Sequence, residues 1–209
     1  MVKTLYNLGF WSALVAFVAV VGYDIAQILQ IAGVLGKPLD EIFIYGFSLC
    51  IAIPFMLALL ALHHLAPDEK KFWSHAAVIF AAMYAGYVNL NYVVQLTAVI
   101  PYAIPNPVLV QTPHSLFWVV DALGYISLGL ATLFAVPLFS KQGLENWIRR
   151  FFLANGLVTP LICFVYFYPD FSTGLLLLGL PWIVTATGSI GVLALYFREN
   201  ITKSQITGH

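Results

Sequence analysis

Six long apolar runs, each separated from the next by a short polar or proline-rich stretch, decide most of what this chain can become. They cover residues 8–32, 40–64, 72–100, 114–139, 147–168 and 174–197. Crossing a hydrocarbon core of about 30 Å takes about 20 helical residues, and each run is at least that long. The runs are continuous rather than alternating, which favours helices over the strands of a membrane barrel. The expected fold is all-α: a polytopic integral membrane protein, a six-transmembrane-helix bundle in a single domain over residues 1–209. Charged residues make up 9% of the chain, against about 25% in a soluble domain. Nine basic residues balance nine acidic ones, so the expected partner is the lipid bilayer and no nucleic acid.

The breaks carry their own chemistry. The first run reads as an uncleaved helix, too long for a signal peptide, and glycine and proline between Gly33 and Pro38 stop it. Asp40 and Glu41 open the second, where a helix N-terminus favours negative charge. Pro54 is expected to kink that helix. Residues 101–113 contain prolines at 101, 105, 107 and 113 and no charge. Such a segment cannot be helical throughout, and its apolarity suggests a lid lying on the membrane surface or over a cavity mouth. The tail, 198–209, reads as polar and frayed. Eight of the nine basic residues fall on the side of the two termini, and Lys37 alone falls on the other. The positive-inside rule then predicts a cell-membrane protein with both termini cytoplasmic.

Polar residues inside the runs form stripes. On an ideal helix Tyr84, Tyr87, Asn91 and Gln95 fall within about 80° of arc. Asp24, Gln27 and Gln30 form a stripe on the first helix. His114, Trp118, Asp121, Tyr125 and Thr132 form the strongest, on the fourth, within about 60°. Asn155, Thr159, Cys163 and Tyr166 mark the fifth helix, and Thr185 and Ser189, near Trp182, the sixth. Asp24 and Asp121 each lie about 10–12 Å in from the outer helix ends, at 1.5 Å per residue. An aspartate at that depth costs on the order of 2.5–3.5 kcal/mol to insert, so something must offset it. No Lys or Arg lies in the interior of any of these helices to do so.

The stripes predict a cavity in the outer half that binds a small molecule, as in a receptor or transporter. Its expected lining is Asp24, Gln27, Tyr84, Tyr87, Asn91 and Gln95 from helices one and three. Helices four and five would add His114, Trp118, Asp121, Tyr125, Asn155, Thr159 and Tyr166. The inner halves of these helices are nearly apolar, so no through-path is visible. Helix two looks the most lipid-exposed. One alternative is an intramembrane enzyme acting on a lipid or isoprenoid-like substrate, with Asp121 and Asp24 as acid and base and His114 nearby. Another is an accessory subunit that uses the stripes to grip a partner, and interhelical glue is the plainest reading of any single amide.

No cofactor or metal is expected. His63, His64 and His75 sit at the cytoplasmic helix ends, His114 is alone at the outer mouth and His209 is in the tail, so no histidine pair lies at haem depth. Cys50 and Cys163 read as small buried hydrophobes.

Overall fold

Glycine at position 33 ends the first helix. Its φ is +70°, and the turn closes with Val34 N–H donating to Leu29 C=O and Gly33 N–H to Gln30 C=O, at 2.9 and 3.0 Å. These are the paired bonds of a Schellman cap. In this computed structural model, which describes residues 2–206, α1 runs Val2–Ile31, α2 Leu39–Leu65 and α3 Lys71–Val94. A π-helical turn, Gln95–Val99, and a last turn, Ile100–Tyr102, continue α3 until Ala103 takes a left-handed conformation, φ +46°. Next come α4, Leu116–Ala135, and α5, Gly143–Phe167. The short turns Thr173–Leu176 and Leu177–Gly179 lead into α6, Leu180–Ile206.

Among the described residues there are no strands, and six helices are long and apolar enough to cross a membrane. Their ends differ from the expected ones for local reasons. The fourth helix begins at Leu116, not at 114, because His114 is left-handed, φ +68°, and Ser115 caps the helix by accepting a bond from Trp118 N–H. The fifth begins at Gly143, four residues before the expected 147. The polar tail is not frayed: 198–206 extend α6, while 207–209, with His209, lie outside the described residues. Pro54 lies within an unbroken α2.

Each helix packs on the next in chain order, and α6 returns to α1, so the bundle is a closed ring. One end holds the start of α1, the end of α6 and the turns near Lys70 and Lys141; we call it the near end. The half toward that end is filled. Phe55, Leu59, Ile148, Phe152, Leu193 and Phe197 are almost wholly buried there. Phe139 meets Phe152 and Tyr196 edge to face, each at 5.6 Å, a favoured aromatic geometry. Small residues bring neighbours close: at the α4–α5 seam Gly129 receives Thr159 and Gly156 receives Leu133.

Helix two is not the lipid-exposed member. Ile51, Ala52, Phe55, Ala58, Leu59 and Leu62 are all buried between α1 and α3. An evenly apolar helix gives no contrast by which sequence could tell core from lipid, since both are apolar. Cys50 lies exposed on the outside of α2 and Cys163 is half-buried on α5, so neither is a core residue.

Candidate functional site

The far half of the ring is hollow. A cavity of about 310 Å³ opens there, walled by α1 to α5 and the segments at the far end. Asp121, on α4, is its anchor. The side chain is 3% exposed. Tyr92, on α3, donates to Oδ1 at 2.6 Å, and Gln111 donates to Oδ2 at 3.0 Å. Tyr166, on α5, donates a further short bond to Oδ2. Helices α3, α4 and α5 and the 103–113 segment therefore meet on one carboxylate. All three donors are neutral, and the ion pairs among the described residues, Lys37–Glu41 and Lys203–Glu199, involve other acids.

The 103–113 segment is held down rather than free. Asn91 Nδ2 donates to Gln111 Oε1 at 3.1 Å, and Gln95 Nε2 to the Leu109 carbonyl at 2.7 Å. Gln95 opens the π-helical turn, an irregularity that recurs at functional sites. Gln111 and Pro113 line the cavity, so this stretch caps it from the side of α3.

On the opposite wall runs a directed chain of hydrogen bonds. The Tyr23 hydroxyl donates to Gln27 Oε1 at 3.2 Å, Gln27 Nε2 to Gln30 Oε1 at 2.8 Å, and Gln30 Nε2 to Asp40 Oδ2 at 2.8 Å. The Tyr23 and Tyr125 hydroxyls are 2.9 Å apart; because the Tyr23 proton serves Gln27, Tyr125 is the donor. Aromatic rings supply the remaining wall. Tyr45 stacks on Tyr92 at 4.7 Å and 15°. Trp118 leans on Tyr166 at 4.6 Å and donates its indole N–H to the Tyr166 carbonyl at 2.9 Å.

Five of the expected lining residues share this cavity: Gln27, Trp118, Asp121, Tyr125 and Tyr166. Asn91 and Gln95 stand behind it, holding the cap. Tyr84 lies below, against Phe55, beside a void of about 10 Å³, the size of a single water. Tyr87 is half-buried near Gly124, away from the cavity. Asn155 and Thr159 belong to a polar knot deeper in the bundle: Asn155 donates to Thr132 at 3.2 Å and accepts from Thr185 at 3.3 Å. That is interhelical glue joining α4, α5 and α6. His114 is exposed on its left-handed turn and does not line the cavity.

Asp24 is likewise elsewhere. Its Oδ2 accepts from Thr187 on α6, and its Oδ1 is buried without a partner. It faces the α1–α6 seam, not the cavity, and shares no hydrogen-bond partner with Asp121. The paired carboxylates that would have served an acid–base enzyme do not form a unit.

Sequence reasoning left out Tyr45, Tyr92 and Glu41, and named Gln30 without assigning it to the site. Tyr92 is about 80° around from Tyr84 at 100° per residue, so it fell off the stripe. Gln111 had a usable signal: it is one of few side chains in an uncharged segment able to form several hydrogen bonds. No protein-family model matches the chain, and no curated protein or solved structure is similar to it.

Proposed function

We propose that this chain is a multi-pass cell-membrane protein whose far-end cavity binds a small organic cation. Asp121 carries the reading. An ionised carboxylate withdrawn from water requires hydrogen bonds and a countercharge. The protein supplies three donors at the carboxylate, and the lysine that lines the cavity, Lys37, is paired with Glu41 at 2.5 Å. A carboxylate has about four acceptor sites, so one remains for a ligand. Tyr45, Tyr92, Trp118, Tyr125 and Tyr166 surround that position with ring surface, which attracts cations by their quadrupoles. At about 310 Å³ the cavity sits at the small end of ligand pockets, which span about 300–1,000 Å³.

Charge distribution supports the same conclusion. Asp24, Asp40, Glu41, Asp121 and Asp170 lie in the far half against Lys37 alone, while the other eight basic residues lie toward the near end. The positive-inside rule puts the near end and both termini in the cytoplasm, so the cavity opens outward with a negative mouth that draws cations in. The packed near half supports a dead-end pocket, receptor-like, over a continuous channel.

Titration of the purified protein in lipid nanodiscs with radiolabelled methylammonium tests this. Saturable binding is expected, weakened by about tenfold or more in Asp121→Asn, the scale of a lost charged hydrogen bond. Absence of saturable binding, or equal affinity for the uncharged isostere ethane-like solutes, would overturn it.

A further inference from the structure

The cavity has an annex that a compact cation leaves empty. A second space of about 100 Å³ lies between α1, α5 and α6. It shares five wall residues with the main cavity, Tyr23, Gln27, Tyr125, Tyr166 and Leu176. The chemistry changes across that common wall. Beyond it the lining is Ile31, Ile162, Val165, Leu180, Trp182 and Ile183, with Gly179. No charged side chain lies there, and the Trp182 ring meets Tyr23 and Tyr125 in T-shaped contacts at 5.5 and 5.1 Å.

We infer that the natural ligand is an amphiphile, with a cationic head held at Asp121 and a short hydrocarbon arm threaded past the Tyr23–Tyr125 pair into the annex. This rests on the cation-binding reading above. Two features of α6 favour it. Its approach is irregular: the 3-10 turn Leu177–Gly179 precedes Leu180, and Gly179 carries no side chain where the annex reaches the start of α6. At its rim, Ile31, Leu177 and Leu180 are exposed apolar residues, so the annex borders the hydrocarbon. An arm can therefore enter from the bilayer, while the head remains in the polar cavity at Asp121. The ring would then accept its ligand from the outer leaflet side, through the α1–α6 seam.

A series of n-alkylammonium ions, from methyl to octyl, separates the two claims. Each is titrated into nanodiscs carrying the full chain, with protein-free discs subtracting partition into lipid. Affinity should rise by about fourfold for each added methylene while the annex fills, then level off. In Ile183→Trp, which fills the annex, the ratio of methyl to hexyl dissociation constants should fall toward one. Val165→Phe, on another helix, serves as a second variant should Ile183→Trp not fold. Saturable methylammonium binding with no chain-length gain, or the same gain in the filled variants, overturns the amphiphile and leaves the cation site standing. Failure of every ammonium to bind overturns the cation reading itself.

Discussion

The hydroxyls of Tyr23 and Tyr125 meet at 2.9 Å across the bundle, joining α1 to α4, two helices that are not neighbours in the ring. This bridge divides the polar cavity from the apolar annex, and it starts the bond chain that ends on Asp40. Its donors all point one way, an arrangement that polarises each bond in favour of the next.

Replacing Tyr125 by Phe removes the first donor of that chain but little volume. The expected loss is about 1 kcal/mol, the net worth of one hydrogen bond. Replacing Gln27 by Leu leaves the Tyr23 hydroxyl proton and Gln30 Oε1 without their partners and should cost more, about 2–3 kcal/mol. Reversible unfolding in mixed micelles, monitored by tryptophan fluorescence, ranks the two; the reverse order would show that the chain is not continuous.

Asp121 and Asp24 should respond oppositely to amidation. Asp121→Asn keeps one acceptor oxygen and turns an amide NH₂ either on Tyr92, the donor to Oδ1, or on Tyr166 and Gln111, the donors to Oδ2, and is expected to destabilise by about 1–3 kcal/mol. Asp24 uses one oxygen for Thr187 and leaves the other unpartnered. Asp24→Asn keeps that acceptor and removes the cost of burying a charge, so the protein should be unchanged or more stable. The difference in midpoint between the two variants is the measurement.

The 103–113 segment should loosen when its anchors go. Gln95→Ala deletes the bond to the Leu109 carbonyl, and Gln111→Ala deletes the bonds to Asn91 and Asp121. Hydrogen exchange by mass spectrometry should show faster exchange over residues 103–113 in both, with the near-end helices unaffected. Equal protection to the wild type would mean that the prolines alone hold the segment.

Glycine at the α4–α5 seam is predicted to be irreplaceable. A Cβ on Gly129 would run into Thr159, whereas one on Gly86 meets nothing within 4 Å. Gly129→Ala should cost about 1–3 kcal/mol by overpacking, and Gly86→Ala should gain up to about 1 kcal/mol of helix propensity. Thr159→Ala should restore part of the Gly129→Ala loss. Thermal unfolding in nanodiscs reads all three.

Sidedness can be read by single cysteines in a chain with Cys50 and Cys163 changed to serine. Val34→Cys, on the α1–α2 turn, should label with an impermeant maleimide in intact cells. Lys141→Cys, on the α4–α5 turn, should label only after permeabilisation. Exchanged patterns would invert the orientation argued from the basic residues.

The spans and the hydrophilic character of the far half were legible because period and composition act locally. Trp118, Asp121 and Tyr125 share one face of one helix, and a stripe of that kind survives any packing. What escaped notice depends on neighbours. Asp24 and Gln27 belong to one sequence stripe, yet α6 takes the first through Thr187 and the cavity takes the second. Asn155 looks like Asn91 in sequence, but one knots three helices and the other holds a loop. Tyr45 enters the site because α2, packed between α1 and α3, turns that face toward the inside of the ring, a placement its evenly apolar sequence does not encode.

The closure of the ring has a mechanical corollary. Five of its six joints are tied by the chain passing directly from one helix to the next, whereas the joint between the first and last helices is held by packing and by the Thr187–Asp24 bond alone across its middle. A wall hinged in this way parts most readily where no covalent tie crosses it. Breathing of the protein, and its response to lateral pressure in the bilayer, should therefore concentrate where the first and last helices lie side by side.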